Sequence, residues 1–198
     1  MSEPRHQVDM RSISKRFGGI QALSGVDFQL RPGEVVGLVG DNGAGKSTLI
    51  KILSGVHCAD EGEILVDGQP TRFDGPAHAK KLGIETVHQD RGLVPGFRVP
   101  ENLFLGRERT RFGLLRKKEM EEHAKEFVSR LGIEIRSYRE PVLSMSGGQQ
   151  QAVAVARAIS CNPRVLILDE PTAGLDPHGR EALLGLIRRL ASDGGPTV

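Results

Sequence analysis

An excess of charge of either sign is missing from this chain: 27 basic side chains stand against 25 acidic ones, a formal net charge of +2 over 198 residues. That balance excludes a polybasic nucleic-acid tail and an acidic disordered chain. Cysteine is nearly absent too. Cys58 and Cys161 lie far apart, which excludes a disulfide framework or a cysteine metal cluster, and both are expected to be small buried hydrophobes. No apolar stretch approaches the roughly 18 residues needed to cross a bilayer. The opening MSEPRHQVDM lacks the apolar segment of a secretory signal, so a soluble cytosolic protein is expected. Aromatics make up only 4%. What the chain has in plenty is glycine, 25 residues where average usage gives about 14. Turns and phosphate loops use glycine. The size, 21.5 kDa, suits one medium domain.

Local patterns divide the chain into alternating elements. Val26, Phe28 and Leu30 alternate as in a strand, Pro32-Gly33 makes a turn, and Val35–Val39 reads as a buried strand. Leu49, Ile50, Ile52 and Leu53 follow helical spacing until Gly55. Gly62 to Gly68 is a short strand, 77–82 a helix and 84–88 a β-branched run, after which Pro95, Gly96 and Pro100 break the chain into loops. Met120, Ala124, Phe127, Val128 and Leu131 form one stripe of a helix from Lys117. Ser146 looks like the N-cap of a helix carrying Ala152, Val153, Ala156 and Ile159 on one face. Val165–Leu168 is an apolar strand and Pro177 opens a last helix through Ala191. A further strand is expected to start at Thr197-Val198, so the C-terminus looks cut.

Between the second strand and the helix that follows it, Gly40-Asp41-Asn42-Gly43-Ala44-Gly45-Lys46-Ser47 fits G-x-x-x-x-G-K-[ST]. Glycines let the loop aim backbone N–H groups inward, and the helix that follows adds its positive end, extending the phosphate cradle to Thr48. Lys46 would bridge the β- and γ-phosphates, and the Ser47 hydroxyl would be a ligand to Mg²⁺. By chance the bare pattern arises in roughly one chain per hundred of this composition; its strand and helix flanks make it more specific. Downstream, Asp169 and Glu170 end a hydrophobic strand. In a parallel sheet such an end faces the ligand crevice, so Asp169 can approach the same Mg²⁺ and Glu170 can polarise the attacking water. A solvated carboxylate pair before a proline turn is the alternative.

Gln89, Met145-Ser146-Gly147-Gly148-Gln149 and Gly174-Leu175-Asp176 complete a series of five motifs. In order and spacing the series resembles the ATP-binding subunits of ABC transporters over nearly the whole chain. The resemblance implies an α/β fold: a P-loop NTPase core with an antiparallel β subdomain and a helical signature subdomain at about 90–145, all within one nucleotide-binding domain spanning 1–198. It implies that Gln89 touches Mg²⁺ and the attacking water. Phe17 would lie against adenine, a core phenylalanine being the rival reading, and Ser146, Gly147, Gly148 and Gln149 would meet the γ-phosphate of a nucleotide held by a second ATP-binding domain. Asp176 would cross between subunits or simply cap the helix at Pro177. Met145 replaces the usual leucine of the signature. The family's switch histidine has no counterpart among the six histidines, which matches the C-terminal truncation and puts hydrolysis by the fragment in question.

Stretches around 39–43, 52–56, 83–89 and 101–106 look most like bacterial monosaccharide importers of the ribose, xylose or fructose type. The resemblance then implies an ATPase using ATP and Mg²⁺ at the cytoplasmic face of the cell membrane. Its implied partners are a second such domain (a homodimer or a fused repeat), transmembrane permease subunits met through 90–131, and indirectly a periplasmic sugar-binding protein, with no nucleic acid. A soluble non-transporter ATPase of the same family would show a long basic insertion or a coiled coil, and this chain has neither. A nucleotide-binding module without hydrolysis is the third reading; intact Lys46, Asp169 and Glu170 argue against it.

Overall fold

A computed structural model describes residues 6–88, 92–192 and 195–198. They form two compact units. One comprises the chain up to Thr86 with Pro163–Asp169 and Ala191–Val198; the other comprises Val87–Asn162 and Glu170–Leu190.

In the first unit, β1 (Val8–Phe17) and β2 (Ile20–Leu30) form a hairpin, and β3 (Glu61–Val66) and β4 (Gln69–Pro70) extend it into an antiparallel sheet of order β2-β1-β3-β4. Along β1 the buried apolar residues run Val8, Met10 and then Ile13. The slip falls at Ser12, whose φ of 50° marks an irregularity in the register and whose N–H donates to Asp27 Oδ1 at 2.6 Å. Such a bulge turns the next side chain back toward the core. Helix α1 (Lys46–Leu53) buries Leu49, Ile52 and Leu53 into the core that holds Met10, Ile13 and Val165. Helix α2 (Pro76–Lys81) follows, and β5 (Ile84–Val87) lies beside β8 (Val165–Leu168) in a second, two-stranded sheet.

The expected buried strand Val35–Val39 is corrected: no strand forms, Val35 is 47% exposed and Val39 88%. A strand needs a partner on its hydrogen-bonding edge. Here Val36 N–H donates to Val198 O at 2.8 Å and Val198 N–H to Glu34 O at 3.0 Å, and among the described residues Gly37, Leu38 and Val39 have no such bond. Thr197 does begin strand-like pairing, as a parallel bridge to Val165. Its hydroxyl accepts from Gly33 N–H at 2.9 Å and donates to Gln7 Oε1 at 2.5 Å.

The second unit is helical apart from one small hairpin. It runs α3 (Val99–Leu103), β6 (Thr110–Arg111), β7 (Leu114–Leu115), α4 (Lys117–Arg130), a 3₁₀ turn (Val142–Ser144), α5 (Gly147–Ile159) and α6 (Pro177–Ser192). The stripe on α4 buries Met120, Ala124 and Val128 as expected. Pro100 does not break the chain; it sits in the first turn of α3, where a missing N–H costs nothing. Helix α5 is buried on more than one face, Ala154, Val155 and Ala158 included. Both cysteines are exposed rather than buried, Cys58 in the segment between α1 and β3 and Cys161 in the turn after α5. Positions outside the regular elements escape the burial their side chains prefer. Among the described residues no helix is long and apolar enough to cross a membrane.

Candidate functional site

Lys46 folds back over the loop that precedes it. Its Nζ donates to Gly40 O and to Asp41 O, both at 2.7 Å, while Ala44 N–H donates to Asp41 O at 3.2 Å. The loop is therefore closed on itself with its charge held at the centre. Helix α1 starts on Gly45, which supplies no side-chain cap, and its first turn contains no acidic residue. The opening amides of Lys46, Ser47 and Thr48 thus have no local oxygen to meet, and they carry the positive end of the helix. Gly45 has a φ of 86°, and a Cβ there would stand 2.5 Å from Ala22 O and 2.6 Å from Leu23 Cδ2. That close approach seats the loop directly on β2. Asp41, Asn42, Gly43 and Ala44 are exposed, as is Ser47. A ring of unspent donors around a cation, open to solvent, suits a polyphosphate.

Strand β8 shares the core that anchors α1, and Asp169 follows it, half-buried. No group of three His, Cys, Asp or Glu side chains among the described residues could hold a metal alone. Ser47 and Asp169 fit a hard cation such as Mg²⁺ whose remaining ligands are phosphate oxygens and water. Glu170, next in the chain, is exposed at a φ of 48°. Left-handed backbone at a residue other than glycine costs energy and clusters at functional positions.

Phe17 is 42% exposed, so the core-phenylalanine reading is set aside. Its ring meets His57 edge-on, centroids 5.2 Å apart at 65°, with Lys15 Nζ 5.5 Å from its centroid. Asp60 fastens this corner, accepting from Lys15 Nζ at 2.6 Å and from Arg16 N–H at 2.7 Å. The Lys15 hydrogen bond first, then the Arg16 amide, hold the Asp60 carboxyl below the ordinary carboxylate range. Sequence reasoning missed both His57 and Asp60. The one available signal was their place just past the Gly55 helix stop.

In the second unit Ser146 caps α5: its Oγ accepts from Gln149 N–H, and Gln149 Oε1 accepts from Ser146 N–H, each at 3.3 Å. This is a capping box. Met145 packs half-buried against the core of this unit, where its volume replaces a leucine without loss. A Cβ on Gly148 would stand 2.7 Å from Gly179 Cα, so the starts of α5 and α6 touch through two glycines. Asp176 Oδ1 accepts from Gly179 N–H at 2.7 Å, which makes it the cap of α6. Both helix starts open onto a cleft of ≈ 680 Å³ lined by Ser146, Gly148, Gln149, Asp176 and His178, with Arg136 at its edge. Asn102, in the stretch 101–106, is fully buried, accepting from Val94 N–H at 2.8 Å and donating to Val94 O at 3.1 Å. Gln89 lies outside the described residues.

The chain resembles several known proteins. A galactofuranose transporter ATP-binding protein, YtfR, of Escherichia coli (strain K12) is 50% identical over 196 residues, 98% of this chain and 39% of that protein. The chain thus spans about two-fifths of that relative's length. A xylose/arabinose import ATP-binding protein, XylG, of Sulfolobus acidocaldarius is 44% identical over 187 residues, 94% of this chain and 74% of that protein. Among solved structures, cbiO1 of Clostridium perfringens, part of the ABC transporter complex cbiONQ, superposes with a TM-score of 0.79 at 30% identity, covering 96% of this chain and 75% of that one. The ABC transporter family profile matches residues 23–173, from within β2 past the acidic strand end. With the phosphate loop and both carboxylates inside that match, the chain belongs to the ABC transporter family.

Proposed function

We propose that this chain is the ATP-binding and ATP-hydrolysing domain of a carbohydrate importer. The observation that carries it is the Lys46 amino group held by Gly40 O and Asp41 O at the start of an uncapped helix. The relatives are named for different substrates, galactofuranose in one and xylose or arabinose in another; what they share is a sugar.

In this reading Lys46 and the amides from Gly43 to Thr48 hold the phosphates, and Phe17 stacks on the adenine face, which needs only a π-surface. Ser47, Asp169 and Gln89 would hold Mg²⁺, which when bound neutralises phosphate charge and fixes the oxygens for in-line attack. Glu170 orients the attacking water and accepts its proton. Ser146, Gly147, Gly148 and Gln149 offer a second anion-binding wall to a nucleotide on a second ATP-binding domain. Permease subunits at the cytoplasmic face of the membrane would receive the closing motion, and a periplasmic sugar-binding protein would deliver cargo to them.

Lys46→Ala tests the phosphate reading. Losing a charge-assisted contact to phosphate should weaken binding of a fluorescent ATP analogue about ten- to a hundredfold, while circular dichroism stays native. Affinity equal to the parent protein would sink it. The base end is tested separately. Asp60→Ala frees the corner that holds Phe17 and should raise KM for ATP about two- to tenfold with kcat unchanged; a change confined to kcat would remove Phe17 from base binding.

A further inference from the structure

The β6–β7 hairpin displays apolar side chains at a cost. Its strands pair Thr110 with Leu115 and Arg111 with Leu114, leaving a two-residue loop of Phe112 and Gly113. Both have positive φ, 53° and 78°, the backbone of a type I′ turn, whose first central position favours Asn, Asp or Gly. A bulky aromatic in the left-handed region is an outlier. The ring is also 90% exposed, Leu114 is 75% and Leu115 50%. Its one close ring partner among the described residues is the Arg111 guanidinium, 5.3 Å from the centroid. Among the described residues neither the strain nor the solvent exposure is relieved.

Charge identifies the partner. Residues 107–118 carry six basic side chains and a single acidic one, Glu108. Glu108 is turned back on Gly106 N–H at 2.9 Å. Arg109 and Arg116 are engaged by Glu119, and Arg107 by the Leu103 and Ser160 carbonyls. That leaves Arg111, Lys117 and Lys118 exposed beside the tip; neither lysine makes an ion pair among the described residues. Beyond Glu119, which Arg109 and Arg116 already occupy, the next carboxylates on α4 are Glu121, paired with Lys125 at 2.5 Å, and Glu122. A convex apolar tip ringed by cations suits an anionic bilayer surface, where an aromatic ring settles at headgroup depth and basic groups meet lipid phosphates. A protein partner would need a patch nearer 800 Å² a side, so a permease contact through 90–131 would have to draw on surface beyond this short hairpin.

We infer that the Phe112 hairpin docks on the anionic phospholipid surface of a membrane, with Phe112 and Leu114 inserted and Arg111, Lys117 and Lys118 on the headgroups. This stands apart from the nucleotide site, so Lys46→Ala should bind membranes as the parent does. The test is co-sedimentation with vesicles of phosphatidylcholine alone and vesicles containing phosphatidylglycerol, at low and high salt. The protein should bind only the anionic vesicles and release as salt screens the lysines. Phe112→Asn, which suits the turn better, should keep or raise Tm yet lower vesicle binding about tenfold or more. Equal vesicle binding by Phe112→Asn and the parent, no binding to anionic vesicles, or a photocrosslinker at position 112 that captures protein in place of lipid in cells would each overturn the assignment.

Discussion

Glu170→Gln is expected to abolish ATP turnover while ATP still binds. The two side chains have the same shape, so the loop after β8 keeps its course and the Glu170 carbonyl still accepts from Ala173 N–H. What disappears is the group that takes a proton from the attacking water, a contribution of about 10²- to 10⁴-fold in rate. Lys46, Ser47 and Asp169 are untouched, and the affinity for ATP should stay within about twofold of the parent. The backbone gives a second handle. Glu170 sits at a φ of 48°, so Glu170→Gly relieves local strain while removing the same carboxylate. It should match the glutamine variant in lost turnover and exceed the parent in Tm. Phosphate release and nucleotide binding, measured on both variants of the intact protein, separate the effects. Parent-like turnover in Glu170→Gln would strip the residue of its role, and loss of binding together with turnover would make it a positioning residue for the loop.

The phosphate loop was legible in the sequence because its physics is local: spacing, glycines and the helix that follows all lie within a dozen residues. The same holds for Ser146, where the capping partner Gln149 is three positions away. The segment 35–39 was misread for the opposite reason. An apolar run states a preference for burial, but a strand exists only where another segment offers its edge, and that segment lies some 160 residues downstream at Thr197-Val198. β1 escaped because its alternation breaks at Ser12, where a bulge shifts the inward set from Val8 and Met10 to Ile13; a period of two cannot be counted across such a slip. The Phe17 corner depends on Asp60, over forty positions away, and no periodicity reports a pairing of that length. Asn102 spends its amide tying down the loop at 94–98, a role that no periodicity reports.

Gly45→Ala should disrupt the phosphate loop severely while leaving every charged group in place. At a φ of 86° an alanine pays the left-handed penalty, and its Cβ would stand 2.5 Å from Ala22 O, a backbone atom of β2 that cannot swing aside. The neighbouring Leu23 Cδ2, at 2.6 Å, belongs to a buried side chain. The loop must therefore lift from the sheet, taking the first turn of α1 and the Lys46 contacts with it. The combined cost is about 3 kcal/mol, which for a chain of this size lowers Tm by about 6–12 °C. Nucleotide binding should fall about a hundredfold or more, because the donors lose their common focus even though none is deleted. Gly43→Ala separates the two terms: its φ is 89°, yet a Cβ there has nothing within 4 Å. It carries the backbone strain without the collision and should cost about 1–2 kcal/mol. Thermal melts and ATP titrations of the pair decide the matter; if Gly45→Ala melts no lower than Gly43→Ala, the loop is not seated on β2 and its closed shape has another cause.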